Sequence, residues 1–87
     1  MTETRYAPRY RVSKPAMIGS GKNAIACVIR NLSTTGAAIE VENQINIPDS
    51  FVMFVSEDDL HLLCHVVWRK DYRIGLAFDW ESPMPVD

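Results

Sequence analysis

Short segments with a hydrophobic period of two constrain this chain more than any other feature of its sequence. Residues 37–42 read Ala-Ala-Ile-Glu-Val-Glu, and residues 74–79 read Ile-Gly-Leu-Ala-Phe-Asp. Alternation of this kind is typical of a β-strand that buries one face, whereas an amphipathic helix needs apolar residues three and four positions apart. Because no stretch has that helical spacing, the sequence predicts an all-β fold.

Six segments of strand character follow one another at intervals of about ten residues. Turn-forming residues separate them, as in Gly19–Asn23, Asn31–Gly36 and Ser56–Asp59. This spacing is typical of an antiparallel sandwich or a small barrel. Closure removes sheet edges that a small domain cannot cover, so we expect a six-stranded antiparallel β-barrel. The predicted strands are 11–18, 24–30, 37–41, 51–55, 60–69 and 74–78.

Single residues add detail to two of these strands. Pro15 cannot donate a ladder hydrogen bond, so the first strand should lie at an edge or contain a bulge. Every second residue from Leu60 to Trp68 is apolar, which predicts that Trp68 faces the core, and Phe78 is expected to do the same in the last strand.

The chain is expected to divide into three parts around one core. Residues 1–10 are polar, aromatic and basic without periodicity, which predicts a flexible N-terminal arm. Residues 11–79 would form the barrel. Residues 80–87 contain two prolines and should form a short irregular tail. A chain of 87 residues has room for a single hydrophobic core.

Charge is distributed unevenly along the chain. Residues 1–39 carry a net charge of +5 and residues 40–87 carry −7, which gives −2 in total. An acidic protein of this kind is not suited to binding a nucleic acid polymer without sequence preference. The excess of basic residues in the first half still permits a local site for a compact anion.

Apolar runs and cysteines indicate the compartment. The longest apolar run, Phe51–Val55, is far shorter than the roughly 20 residues that cross a membrane, so no membrane insertion and no secretory signal are expected. Cys27 and Cys64 lie in apolar segments, which predicts buried, reduced thiols in a cytoplasmic protein.

Side chains that could support catalysis or bind metal do not form a persuasive arrangement. His61 and His65 would lie roughly 13 Å apart on a strand, too far to share a metal ion. No Ser-His-Asp or Cys-His arrangement can be argued from the strand pattern. We therefore expect no metal site, no cofactor and no enzymatic activity.

Two short motifs stand in order in the first half of the chain. Arg5 and Arg9 form an Arg-x-x-x-Arg motif in the arm, and Asn31, Ser33 and Gly36 form an Asn-x-Ser-x-x-Gly motif between two strands. A guanidinium pairs with phosphate or carboxylate through two parallel hydrogen bonds. Read alone, the first motif is a solvated tail and the second is an ordinary β-turn.

Taken together, the motifs and the strand pattern resemble the PilZ domain family of bacterial receptors for cyclic di-GMP. Val66-Val-Trp68 and Ile74-Gly-Leu-Ala-Phe78 are similar to the last two strands of that family. The resemblance implies a barrel that holds the nucleotide on its outer surface and an arm that becomes ordered around it. An unidentified effector protein would then recognise the ordered arm.

The resemblance also implies the residues that bind cyclic di-GMP. Arg5 and Arg9 would contact phosphate or guanine, and Arg11 could share or replace the role of Arg9. Asn31 would donate and accept hydrogen bonds at a guanine edge. The ligand-binding prediction comprises Arg5, Arg9, Arg11, Asn31, Ser33 and Gly36.

Two other functions remain open at this point. A PilZ-fold adaptor could act by protein contact alone without binding nucleotide. A small barrel that binds single-stranded nucleic acid would need aromatic residues within a basic groove, and here the later strands are acidic.

Overall fold

The computed structural model describes residues 10–19 and 21–79. The predicted tail 80–87, and the predicted arm apart from Tyr10, therefore lie outside the described residues. Two single-turn 3-10 helices, Gly21–Asn23 and Ser56–Asp58, occupy predicted turns. The strands are β1 (Tyr10–Ile18), β2 (Ile25–Leu32), β3 (Gly36–Glu40), β4 (Ser50–Val55), β5 (Leu60–Lys70) and β6 (Arg73–Phe78).

These six strands close into the predicted antiparallel barrel. Their order around it is β1-β2-β3-β6-β5-β4, and every neighbouring pair is antiparallel. The β1–β4 seam is short, since only Met17 and Ile18 of β1 have ladder partners on β4. The other five interfaces therefore hold most of the barrel together.

The core is the inward face of the alternating segments. Ile29, Ile39 and Ile74 are fully buried and meet across β2, β3 and β6. Cys27 and Cys64 are free thiols within the same core, as the sequence predicts. Burial raises the pKa of Cys27 to about 11 and that of Cys64 to about 12, and Asp79 adds to the rise at Cys64.

The irregularity predicted for β1 is present. Its register with β2 shifts between Arg11 and Lys14, so Val12 and Ser13 together face a single residue of β2. Pro15 lies opposite Val28 and has no ladder partner on β4, where its missing N–H would otherwise be needed. A proline is tolerated here because this part of β1 is paired along one side.

The inward orientation predicted for Trp68 is wrong. The register of β5 shifts between Val66 and Trp68, and this bulge turns the indole to the outside, where Trp68 is 48% exposed. Leu60, at the other end of the strand, is also exposed, while Phe78 is partly buried against the core as expected. Strict alternation over ten residues cannot reveal a bulge.

The segment Asn31–Gly36 is also more ordered than a simple turn. Asn31 and Leu32 continue β2, and Gly36 already belongs to β3, so the connection is Ser33–Thr35 alone.

Among the residues that the structure describes, no helix is long and apolar enough to cross a membrane.

Candidate functional site

One row of residues crosses the outer face of five strands. The strand registers place Arg11 opposite Asn31, Asn31 opposite Ala38, Ala38 opposite Gly75, and Gly75 opposite Trp68. The neighbours of Ala38 and Gly75 along their strands point into the core, so the row itself faces outwards. We call these five residues the outer row; its centre has almost no side chain, and its ends are a guanidinium and an indole.

A bulge in β2 places Arg30 beside this row. The register of β2 with β3 shifts between Ile29 and Asn31, so Arg30 is the extra residue. Bulges redirect side chains that strict alternation would send to opposite faces. As a result, Arg30 and Asn31 line the same depression although they are adjacent in sequence.

That depression is a surface cleft of about 600 Å³. We call it the arginine cleft. Three guanidinium groups from three strands contribute to it, together with the Asn31 amide and a serine hydroxyl. Its lining residues are Arg11, Val12, Ser13, Arg30, Asn31 and Arg73.

One carboxylate moderates the positive charge of the cleft. Glu40 lies opposite Arg73 in the β3–β6 ladder, and its Oε1 is 3.5 Å from Nε of Arg30. Arg30 also donates a hydrogen bond of 3.4 Å from Nη1 to Oγ of Ser13. Three arginines against one glutamate leave the cleft electropositive within an acidic protein.

Ser33 uses its hydroxyl to close the β2–β3 turn. Its Oγ accepts hydrogen bonds of 3.2 Å from the backbone N–H groups of Thr35 and Gly36, and it donates one of 3.3 Å to the Gly36 carbonyl. The side chain is buried, with 9% exposure. The direct role of Ser33 here is therefore to fix the turn that follows Asn31.

Gly36 allows β3 to approach β6 closely. A methyl group at this position would overlap the Leu76 carbonyl oxygen and would lie 3.3 Å from Cα of Ala77. The backbone φ of Gly36 is outside the left-handed region, so contact alone requires glycine here. At Gly75 the corresponding space is filled by the indole of Trp68, which lies over that glycine.

The predicted site residues thus separate into three groups. Arg11 and Asn31 lie together in the cleft, and Ser33 and Gly36 hold the adjoining turn. Arg5 and Arg9 lie outside the described residues. Their assignment to a ligand, like that of the other four, stays a prediction.

Sequence reasoning missed the other two arginines of the cleft. Neither Arg30 nor Arg73 belongs to a motif. A bulge moves Arg30 to the cleft, and closure of the barrel brings β6, which carries Arg73, beside β3. No local signal in the sequence could have found either.

Comparison with known protein families matches residues 3–85 to the PilZ domain. The chain belongs to the PilZ domain family. This match covers nearly the whole chain and confirms the resemblance carried by the two motifs. No curated protein matches the sequence.

PilZ domains are binding and adaptor modules of a cyclic di-GMP receptor family, and some of them do not bind the nucleotide. The arginine cleft of this PilZ domain is consistent with a binding surface, whereas Ala38 and Gly75 at the centre of the outer row are buried. Within the described ranges, no three His, Cys, Asp or Glu side chains are grouped so that they could hold a metal ion.

Proposed function

We propose that this PilZ domain is a cytoplasmic receptor that binds cyclic di-GMP at the arginine cleft and signals to a partner protein. The observation that carries the proposal is the pairing of Arg11 with Asn31 on the outer wall. Arg11 supplies a permanent positive charge, and Asn31 supplies a hydrogen-bond donor and a hydrogen-bond acceptor on one amide group. A guanine nucleotide with two phosphates presents complementary groups.

The arm would complete the site. β1 begins at Tyr10, next to Arg9 and one residue before the cleft residue Arg11. Arg5, the first arginine of the motif, would reach the same side of the barrel once the arm closes on the nucleotide. Ordering such an arm costs conformational entropy, which charge-assisted contacts to the phosphates would offset. The ordered arm would then offer the effector a surface that exists only with bound nucleotide.

Calorimetric titration with cyclic di-GMP tests the proposal, with GTP and cyclic GMP as controls. We expect saturable binding of cyclic di-GMP alone. Arg9→Ala would remove a hydrogen bond to a charged group, which contributes roughly 1.5–3 kcal/mol, and Asn31→Ala would remove a neutral donor and a neutral acceptor that contribute about 1 kcal/mol each. Each substitution should therefore weaken binding about tenfold or more. Lys22→Ala, which removes a cation outside the cleft, should leave the affinity unchanged.

A PilZ adaptor that binds no nucleotide is the second candidate, and one observation favours it. Ser33 stabilises the turn, and Gly36 allows β3 to pack closely against β6, so the presence of both residues does not require a ligand. Absence of heat at hundred-micromolar cyclic di-GMP would reject the receptor proposal and support the adaptor. An oligonucleotide should give no binding at physiological salt in either case.

A further inference from the structure

In the described chain, two of the three cleft arginines have no carboxylate partner, unlike Lys14 and Arg69 elsewhere on the barrel. Lys14 Nζ lies 2.7 Å from the Asp58 carboxylate, and Arg69 Nη2 lies 2.8 Å from Asp49. Within the described residues, neither Arg11 nor Arg73 has a carboxylate within ion-pair distance, although both line the cleft.

Grouping three guanidinium groups around one cleft is unfavourable in the absence of an anion. Like charges repel, and Glu40 is the one carboxylate that pairs with a cleft arginine in the described chain. Its pair with Arg30 is long, at 3.5 Å, and both side chains are almost half exposed, so this contact is weak. An anion that enters the cleft would remove the remaining repulsion.

Arg30 has two long contacts at the cleft. Its Nη1 lies 3.4 Å from the Ser13 hydroxyl and its Nε lies 3.5 Å from Glu40. Contacts of this length are weak, so the guanidinium can exchange them for a phosphate. Arg73 comes from β6, on the side of the cleft opposite the strand that leads to the arm.

We propose that Arg73, together with Arg30, binds a phosphate group of the nucleotide on the barrel wall, and that Glu40 weakens this binding by its negative charge. The inference rests on the proposed function. It assigns one phosphate to residues of the rigid barrel, separate from the arginines of the arm. Barrel and arm would then each hold part of the same dianion.

Calorimetric titration of the full chain with cyclic di-GMP separates these contributions. Arg73→Gln should weaken binding about tenfold, equal to about 1.4 kcal/mol, and Arg73→Lys should weaken it less because a phosphate also accepts a point charge. Glu40→Gln should strengthen binding about threefold, since it removes a like charge from beside the phosphate. A gain in affinity cannot come from misfolding.

Lys70→Gln is the matched control. Lys70 lies opposite Arg73 across β5 and β6 but does not line the cleft, so the same charge is removed nearby without loss of a contact. Lys70→Gln should change the affinity for cyclic di-GMP by less than about twofold. Thermal melting of each variant checks that the barrel remains folded.

Each other result overturns the inference. If wild-type protein binds and Arg73→Gln binds equally well, the receptor function stands and the role of Arg73 falls. If Lys70→Gln loses as much affinity as Arg73→Gln, the loss comes from the long-range electrostatic effect of removing a positive charge, and Arg73 does not contact the phosphate. If Glu40→Gln weakens binding, Glu40 supports the site. If wild-type protein does not bind cyclic di-GMP, the proposed function and this inference fail together.

Discussion

Replacing Gly36 by alanine should lower the stability of the whole barrel, because it disturbs strand packing. The added methyl group would overlap the Leu76 carbonyl oxygen, which is backbone and cannot move to another rotamer. The strands β3 and β6 must therefore separate by on the order of 1 Å, against a normal spacing of about 4.8 Å. This strain falls where the turn after β2 is hydrogen-bonded to β6.

The magnitude follows from the bonds at this position. Phe78 N–H donates to the Thr35 carbonyl and Ser33 N–H to the Gly36 carbonyl, each at 2.9 Å. Partial loss of both, at up to about 1 kcal/mol each, and overpacking of the contact, at about 1–3 kcal/mol, together cost about 2–5 kcal/mol. A domain of this size has a total stability of roughly 4–13 kcal/mol. The melting temperature should fall by about 10–25 °C.

Thermal denaturation followed by circular dichroism measures this change. Gly21→Ala is the matched control, because a methyl group there meets no atom within 4 Å and only the positive φ of +70° is unfavourable. That control should cost about 1–2 kcal/mol. If Gly36→Ala melts within about 5 °C of the wild type, or above Gly21→Ala, the steric argument is refuted.

Three further predictions concern the turn, the indole and the thiols. Ser33→Ala should lower the free energy of unfolding by about 1–3 kcal/mol in urea titrations, because it leaves buried turn N–H groups unsatisfied; an unchanged midpoint would contradict this. Gly75→Ala should displace the Trp68 side chain and change its fluorescence and acrylamide quenching, with a smaller loss of stability than Gly36→Ala; identical spectra would argue against the contact. The thiols should make stability fall above pH 9, because their raised pKa values of about 11 and about 12 keep Cys27 and Cys64 protonated in the folded state while the unfolded chain releases both protons. Urea titrations at pH 8 and pH 10 should differ by about 2–3 kcal/mol, and a variant with both cysteines replaced by alanine should lose that difference.

The fold was largely predictable because the information that sets it is local. Alternation along residues 37–41 and 74–78 indicated which side chains face inwards, and the observed core contains Ile39, Ile74 and Leu76 as that pattern requires. Glycine, asparagine and aspartate marked the turns. Closure into a barrel followed from the number and spacing of strands in a small chain.

The site was less predictable because bulges and barrel closure build it. The second motif led to Asn31, and the position of Arg11 just after the first motif led to Arg11; these two residues do lie together. It could not lead to Arg30, whose direction depends on a one-residue register shift, or to Arg73, which is 42 positions away from Asn31 in the sequence. The error at Trp68 has the same cause, since a bulge in β5 reverses its face.

The short β1–β4 seam determines how a pull on the N-terminus would travel through the barrel. From Tyr10 to Ala16, β1 has ladder partners on β2 and none on β4 in the described chain. Tension applied at Tyr10 therefore loads β2 first, and with it the strand that carries Arg30 and Asn31. Protection from amide hydrogen exchange should be lowest along this free side of β1 and should rise at Met17 and Ile18, where the seam begins. The barrel is thus mechanically asymmetric, with its most easily opened edge on the strand that leads to the arm.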